Sequence, residues 1–229
     1  ELIEIQSRYS DARQTEINSN AFDLSDEDLI TPTDMVVTLS YSGYAKAQPV
    51  ADYQAQRRGG KGRIATRNKD EDFVRTMFVA NSHDTILCFS NAGKVYWLKV
   101  YQLPQAGRHA RGRPLVNLLP LAQEERITAF LPLGEYPAGH FIFMATRSGT
   151  VKKCAISSFS RPRSTGLRAI ELMDDDELVA VDLTTGTSDV LLFGSTGKAI
   201  RFHEKEVREM GRTARGVRGI ALKSGQGVI

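Results

Sequence analysis

Ile86-Leu87-Cys88-Phe89-Ser90, then Gly93, then Lys94-Val95-Tyr96-Trp97-Leu98 is the stretch whose reading decides the fold. Two short apolar runs, rich in β-branched and aromatic residues, flank a glycine. That pattern predicts strand, turn, strand, with the glycine supplying the positive φ of a tight hairpin. The pattern occurs three more times: Val36 to Ser42 precedes Gly43, Phe141 to Thr146 precedes Gly149, and Val190 to Ser195 precedes Gly197. The period is roughly fifty residues, in the range of repeat architectures.

A second set of glycines keeps the same spacing. Basic loops end in Gly62, Gly112, Gly166 and Gly216, each at a near-constant distance beyond its hairpin glycine. A short apolar element follows each loop, as in Pro114-Leu115-Val116-Asn117-Leu118, and the next repeat then opens with another apolar run, as in Phe73 to Val79. Each repeat therefore supplies about four strands and one basic loop. The prediction is an all-β chain, a propeller-like radial array of four-stranded blades. Two glycine series in one register favour it over a β-sandwich of unrelated hairpins.

The N-terminal end differs. Residues 1 to about 20 carry Leu2, Ile3, Ile5, Tyr9, Ala12 and Ile17 without β-like alternation, and Asp23 to Pro32 is acidic. The expected organisation is 1–33 as the end of a preceding helical region plus an acidic linker, and 34–229 as the array of about four blades.

Composition narrows the function classes. The chain has 229 residues, 41% of them hydrophobic, which can build a core. No apolar run is long enough for a membrane span. The start Glu1-Leu2-Ile3-Glu4 predicts no secretory signal in this chain. Cys88 and Cys154 sit inside apolar runs and read as buried free thiols. The four histidines lack metal-ligand spacing, and Asp174-Asp175-Asp176-Glu177 reads as a solvated turn rather than a cation site. Tyr96, Trp97 and Tyr101 read as core or strand-face residues rather than as a base-stacking platform.

The net charge of +3 hides a segregation. Residues 54–69, 101–123, 140–170 and 210–229 hold no Asp or Glu, and each of these stretches contains one basic loop. Lys152 and Lys153 count towards the third basic stretch. The first loop, Gln56-Arg57-Arg58-Gly59-Gly60-Lys61-Gly62, packs three cations and three glycines together, with Arg63 and Arg67 just beyond. The other loops read as weaker copies carrying Arg108, Arg111 and Arg113; Arg161, Arg163 and Arg168; and Arg212, Arg215 and Arg218. Arginine forks match phosphate oxygens, and glycine lets backbone N–H groups approach the same oxygens. Equivalent loops of a radial array share one rim, so a basic rim suits a long duplex, bound with little regard to sequence. A nucleotide-binding loop does not fit, because Gly62 stands where Ser or Thr should follow Lys61. No catalytic triad or paired-carboxylate motif stands out.

These residues resemble the C-terminal region of bacterial DNA gyrase A subunits. Gln56 to Gly62 matches that family's hallmark heptapeptide in full. Asp26-Glu27-Asp28-Leu29-Ile30, Val79-Ala80-Asn81, His83-Asp84, Val100-Tyr101-Gln102-Leu103-Pro104 and Arg111-Gly112-Arg113-Pro114 are also similar to it. The resemblance implies a β-pinwheel, a propeller-like fold whose blades exchange strands, preceded by a short helical segment. It implies duplex DNA wrapped with positive handedness around a basic perimeter, in support of ATP-dependent negative supercoiling by the whole enzyme. DNA cleavage, ATP and Mg2+ then belong to regions outside this chain. No catalytic residue, cofactor site or metal site is expected within it, and Tyr9 inherits no catalytic role. The implied partners are double-stranded DNA and the gyrase B protein in an A2B2 complex, and the implied setting is cytoplasmic and chromosome-associated. The corresponding region of topoisomerase IV is similar but lacks an intact heptapeptide, and a non-catalytic protein-interaction propeller is the other competing reading. Gyrase A domains usually have six blades, and four repeats are present here.

Overall fold

The structure, a computed structural model, describes residues 1–11, 26–53, 72–107 and 110–229. Two compact units result, Glu1–Ile30 and Thr31–Ile229. In the first, helix α1 spans Leu2–Tyr9 and buries none of its residues. The second unit starts at Thr31 for a backbone reason. Ser82 N donates to Thr33 O at 2.8 Å, and Ser82 Oγ accepts from Thr33 N at 3.1 Å.

The larger unit is built from fourteen described strands: β1 (Asp34–Ser40), β2 (Tyr44–Pro49), β3 (Val74–Asn81), β4 (Thr85–Ser90), β5 (Lys94–Lys99), β6 (Arg113–Pro114), β7 (Ile127–Leu133), β8 (Phe141–Thr146), β9 (Thr150–Ala155), β10 (Leu167–Arg168), β11 (Leu178–Thr184), β12 (Asp189–Phe193), β13 (Ala199–His203) and β14 (Val217–Arg218). They form three four-stranded sheets, ordered β3-β1-β2-β6, β10-β5-β4-β7 and β11-β8-β9-β14, and a two-stranded sheet β12-β13. All sheet pairs are antiparallel.

The hairpins fall where the glycine spacing puts them, but the other strands change partners. In each complete sheet the central hairpin belongs to one repeat, and both flanking strands come from the next. β3 and β6, for example, bracket the β4–β5 hairpin in sequence yet pair with β1 and β2. This is the strand exchange of a pinwheel. Among the described residues three sheets have four strands, and in the fourth repeat the β12–β13 hairpin is joined by the last residues of the chain, through the Gly194–Val228 bridge and the bond from Ile229 N to Phe193 O at 3.0 Å.

Recurrent backbone bonds weld each turn to the following repeat. Tyr41, Asn91, Arg147 and Ser195 donate their N–H to the carbonyls of Phe73, Arg126, Glu177 and Gly227, at 2.8–2.9 Å. The side chains at these paired positions differ in every repeat. Tyr41 stacks on Phe73 with ring centroids 4.8 Å apart, Asn91 Oδ1 accepts from Arg126 N, and Arg147 pairs with Glu177 at 2.6 Å.

The core lies between blades. Ile86 and Cys88 of β4 face a cluster with Met35, Val37 and Leu39, whereas Leu87 and Phe89 face one with Ile142, Met144 and Ile156. Phe143 and Ala145 of β8 face a third cluster with Val151 and Leu192. A strand buried on both faces needs apolar residues at every position, so these strands read as continuous apolar runs rather than alternating ones. On β12, Leu192 packs inward while Leu191 and Phe193 are exposed.

Glu204 is an exception inside this core. Val50, Val100, Ile156 and Glu204 each begin the 3-10 turn after a hairpin, and the first three are apolar. Glu204 is 0% exposed, and its carboxylate accepts from Thr184 Oγ1 and Ser188 N, both at 2.7 Å. Burial pushes its pKa up, but the Ser188 and Thr184 hydrogen bonds and the nearby Lys153 charge outweigh that, holding it below the ordinary 4.5. A carboxylate whose folded pKa is depressed stabilises the fold above the unfolded value, and that contribution is lost as pH falls through the folded pKa. Glu204→Gln is expected to cost about 1–3 kcal/mol at neutral pH and to flatten the acid limb of stability. Urea midpoints of wild type and variant between neutral pH and about pH 3 check this, and parallel curves would contradict it.

Candidate nucleic-acid interface

Strands β3, β7 and β11 occupy corresponding edges of the three sheets, and β7 and β11 lie against each other. The opposite edges carry β6, β10 and β14, each preceded by a basic loop. The described loops therefore lead into the sheet edges opposite β3, β7 and β11.

Each described loop is seated on the preceding blade, not on its own. Ala47 N donates to Pro104 O at 3.0 Å, and Ala106 N donates to Ala47 O at 3.2 Å. In the third blade Met210 N donates to Lys153 O at 2.8 Å. Trp97 Nε1 donates to Phe159 O at 2.9 Å, at the start of the loop carrying Arg161 and Arg163. The last glycine of a loop lies close against the blade. At Gly112 (φ 86°) an added Cβ would come within 2.3 Å of Ala45 O, and at Gly216 (φ 106°) within 2.5 Å of Val151 O. Side chains are excluded there by both conformation and space.

The expected binding residues are placed as follows. Gln56 to Gly62, Arg63, Arg67 and Arg108 lie outside the described residues. Arg111, Arg113, Arg161, Arg163, Arg168, Arg215 and Arg218 are exposed, and Arg212 is half-buried. Arg111 packs its guanidinium over the Tyr44 ring, 3.8 Å from the centroid, which leaves the fork edge accessible. Arg215 leans 3.5 Å from Glu171. Arg168 and Arg218 hold equivalent places, opposite Lys94 and Thr150, but Pro114 holds that place in the first blade, and Arg113 sits one residue earlier. The described loops share a close-packed final glycine but differ in how they are seated and in where their charges fall.

Several charges do not serve the perimeter. Lys152 is 0% exposed and Lys153 is buried, although both fall in a basic stretch of the sequence. Burial lowers the Lys152 pKa to about 8, with the Cys154 and Arg212 charges acting in opposite directions. The run Asp174 to Glu177 is not simply a solvated turn. Asp176 accepts from Ser148 N and Oγ, and Glu177 bridges Arg126 and Arg147, each at 2.6 Å. Among the described residues no group of His, Cys, Asp or Glu is arranged to hold a metal, and no helix is long and apolar enough to cross a membrane. Tyr96 is buried and Trp97 half-buried, so both belong to the blades.

Missed by sequence reasoning were Lys46 and Lys152, both at the third residue after a hairpin glycine. The signal was position: on β2 and β9 this place points inward. Lys46 Nζ donates to Ala110 O at 3.0 Å, with Gly107 O at 3.4 Å. Lys152 Nζ donates to Ala169 O at 2.7 Å and Arg212 O at 2.6 Å.

Hairpin repeats with exchanged strands, and arginine-bearing loops leading into one edge of each sheet, define the class: a strand-exchanging β-propeller. The profile of the family described as "DNA gyrase C-terminal domain, beta-propeller" matches residues 34–81, 84–133, 140–185 and 188–229, four segments that each contain one hairpin. The chain belongs to that family. It is 59% identical over 225 residues to the DNA gyrase A protein of Salmonella typhimurium (98% of this chain, 26% of that protein). It is 56% identical over 222 residues to the DNA gyrase A protein of Escherichia coli K12 (97% and 25%). It thus spans about a quarter of these relatives. Among solved structures it is similar to the C-terminal domain of DNA topoisomerase IV (TM-score 0.75, 30% identity, 87% of this chain and 60% of that one). It shares its fold with a DNA gyrase A C-terminal domain (TM-score 0.64, 24% identity, 86% and 63%).

Proposed function

We propose that this chain binds duplex DNA along its basic perimeter and wraps it, as the C-terminal domain of a gyrase A protein. The observation that carries this reading is the seating of successive basic loops along one edge of stacked blades, in a family named for gyrase. Bending a 20–30 bp site by 40–90° costs on the order of 1–6 kcal/mol. Phosphate contacts spread along a curved rim offset that cost without base readout, as in other wrapping proteins. The residues proposed for this work are Gln56 to Gly62, Arg63, Arg67, Arg108, Arg111, Arg113, Arg161, Arg163, Arg168, Arg212, Arg215 and Arg218.

In this reading the wrap has positive handedness and presents a second segment of the same duplex to the remainder of a type II topoisomerase. ATP hydrolysis, strand passage and Mg2+ are supplied there, with the gyrase B protein in an A2B2 complex, in the cytoplasm on the chromosome. The chain by itself leaves plasmid topology enzymatically unchanged. The topoisomerase IV neighbour supports the fold equally well; the complete heptapeptide Gln56 to Gly62 favours gyrase.

The test is salt-dependent binding to a long duplex. If roughly six phosphates are neutralised, log K against log salt falls with a slope of about −5. A flat salt response, or binding to an acidic protein domain in preference to duplex, would overturn the reading in favour of a protein-interaction propeller.

A further inference from the structure

We infer that Lys46 and Lys152 are positioning residues for DNA wrapping: each buried ammonium gathers the backbone carbonyls of a basic loop and so fixes the direction in which the loop's charges face. The inference rests on the DNA reading above and deepens it.

Three observations carry it. First, both lysines occupy the same place in the repeat and are almost wholly enclosed, at 3% and 0% exposure. A buried ammonium costs several kcal/mol unless it is well hydrogen-bonded, and an apolar side chain of similar volume often serves stability as well or better. Filling space does not account for the charge. Second, their contacts are with the loops and the short edge strand that follows one. Lys46 holds the carbonyls of Ala110 and Gly107, next to Arg111. Lys152 holds the carbonyl of Arg212, itself a loop arginine, and that of Ala169, next to Arg168. Third, the middle blade solves the same problem by another route. Its equivalent residue is Tyr96, whose ring lies where a Gly166 Cβ would meet it at 2.6 Å, and whose hydroxyl donates to Glu125 at 3.0 Å. The third residue after the hairpin glycine seats a loop in all three complete blades.

The electrostatic consequence is specific. Carbonyl oxygens are the negative ends of peptide dipoles, and on a phosphate-facing surface they repel the ligand. Turning the Gly107, Ala110 and Arg212 carbonyls inward onto an ammonium removes that repulsion. It also leaves the outer side of the loop to guanidinium and N–H groups.

The variants are Lys46→Met, Lys152→Met and Lys152→Gln in the full 229-residue chain. Methionine keeps most of the volume, so the fold is retained. Amide exchange without DNA is the first readout. Lys46→Met is expected to speed exchange about tenfold or more in residues 107–112 and not in 211–216, and Lys152→Met the reverse. Lys152→Gln, whose amide still donates to one carbonyl, falls between wild type and methionine. The second readout is the linking-number shift of nicked circles religated with protein bound. It should fall by about half or more in the double methionine variant, while affinity changes by less than about threefold, because no phosphate contact is deleted. Unchanged exchange, or an equal rise in both loops, would overturn the inference in favour of a purely structural role. A linking-number shift that persists in full would do the same. If the wild-type chain itself shifts no linking number, the DNA reading fails, and the exchange result still reports whether the lysines seat the loops.

Discussion

Gly216→Ala is expected to lower the unfolding free energy by about 3 kcal/mol, among the larger effects of a single methyl group. Two costs add at this position. The backbone sits at φ 106°, which residues with a Cβ rarely adopt. The new Cβ would also meet Val151 O at 2.5 Å, and a strand carbonyl cannot swing aside as a side chain does. Relief requires β14 to lift from β9, which breaks the pairing of Val217 with Val151 and Arg218 with Thr150. The perimeter then loses the placement of Arg215 and Arg218 along with the stability. Gly211→Ala is the control: nothing lies within 4 Å of its Cβ, and a change within about 0.5 kcal/mol is expected. Urea unfolding of both variants decides the matter, and equal midpoints would show that the loop end is not clamped against the blade.

The second large effect is functional. Changing Arg57, Arg58 and Lys61 together to alanine is expected to abolish the linking-number shift of religated nicked circles while plain binding persists. Three lost phosphate contacts reduce the salt slope by only about 3, leaving the arginines of the other loops to hold the duplex. Wrapping differs from binding because a bend is maintained only while contacts persist along the whole arc. Removing the most cationic loop frees one end of the duplex to straighten. A variant that still shifts the linking number would mean that the other loops alone complete the wrap.

Much of this architecture was legible from residue order. Gly43, Gly93, Gly149 and Gly197 mark four hairpins, and each adopts the positive φ that their spacing predicts. The continuous apolar runs on β4 and β8 reflect burial on both faces. The placement of the loop cations was legible in outline, because Arg111, Arg161, Arg163, Arg168 and Arg218 are exposed on loops or edge strands. Its refinements were not. Lys152 and Lys153 add to a basic stretch of the chain, yet both are buried, because β9 is packed on both of its faces. Arg113 stands one residue after its loop glycine and Arg168 two, so with the same pairing register in both blades the two take different places.

By itself, then, the sequence determined the repeat, the hairpins, the basic loops and the family. These rest on local properties: glycine conformational freedom, β-propensity, the periodicity of apolar residues and a complete heptapeptide. Only the tertiary structure decided that both flanking strands of every complete blade come from the next repeat, and that the described basic loops rest on the blade before their own. Strand pairing is made by backbone N–H and C=O groups, which are chemically the same in every strand. Which edge a strand joins is set by chain connectivity and the packing of distant faces. The same packing turns Lys46 and Lys152 from surface charges into internal anchors.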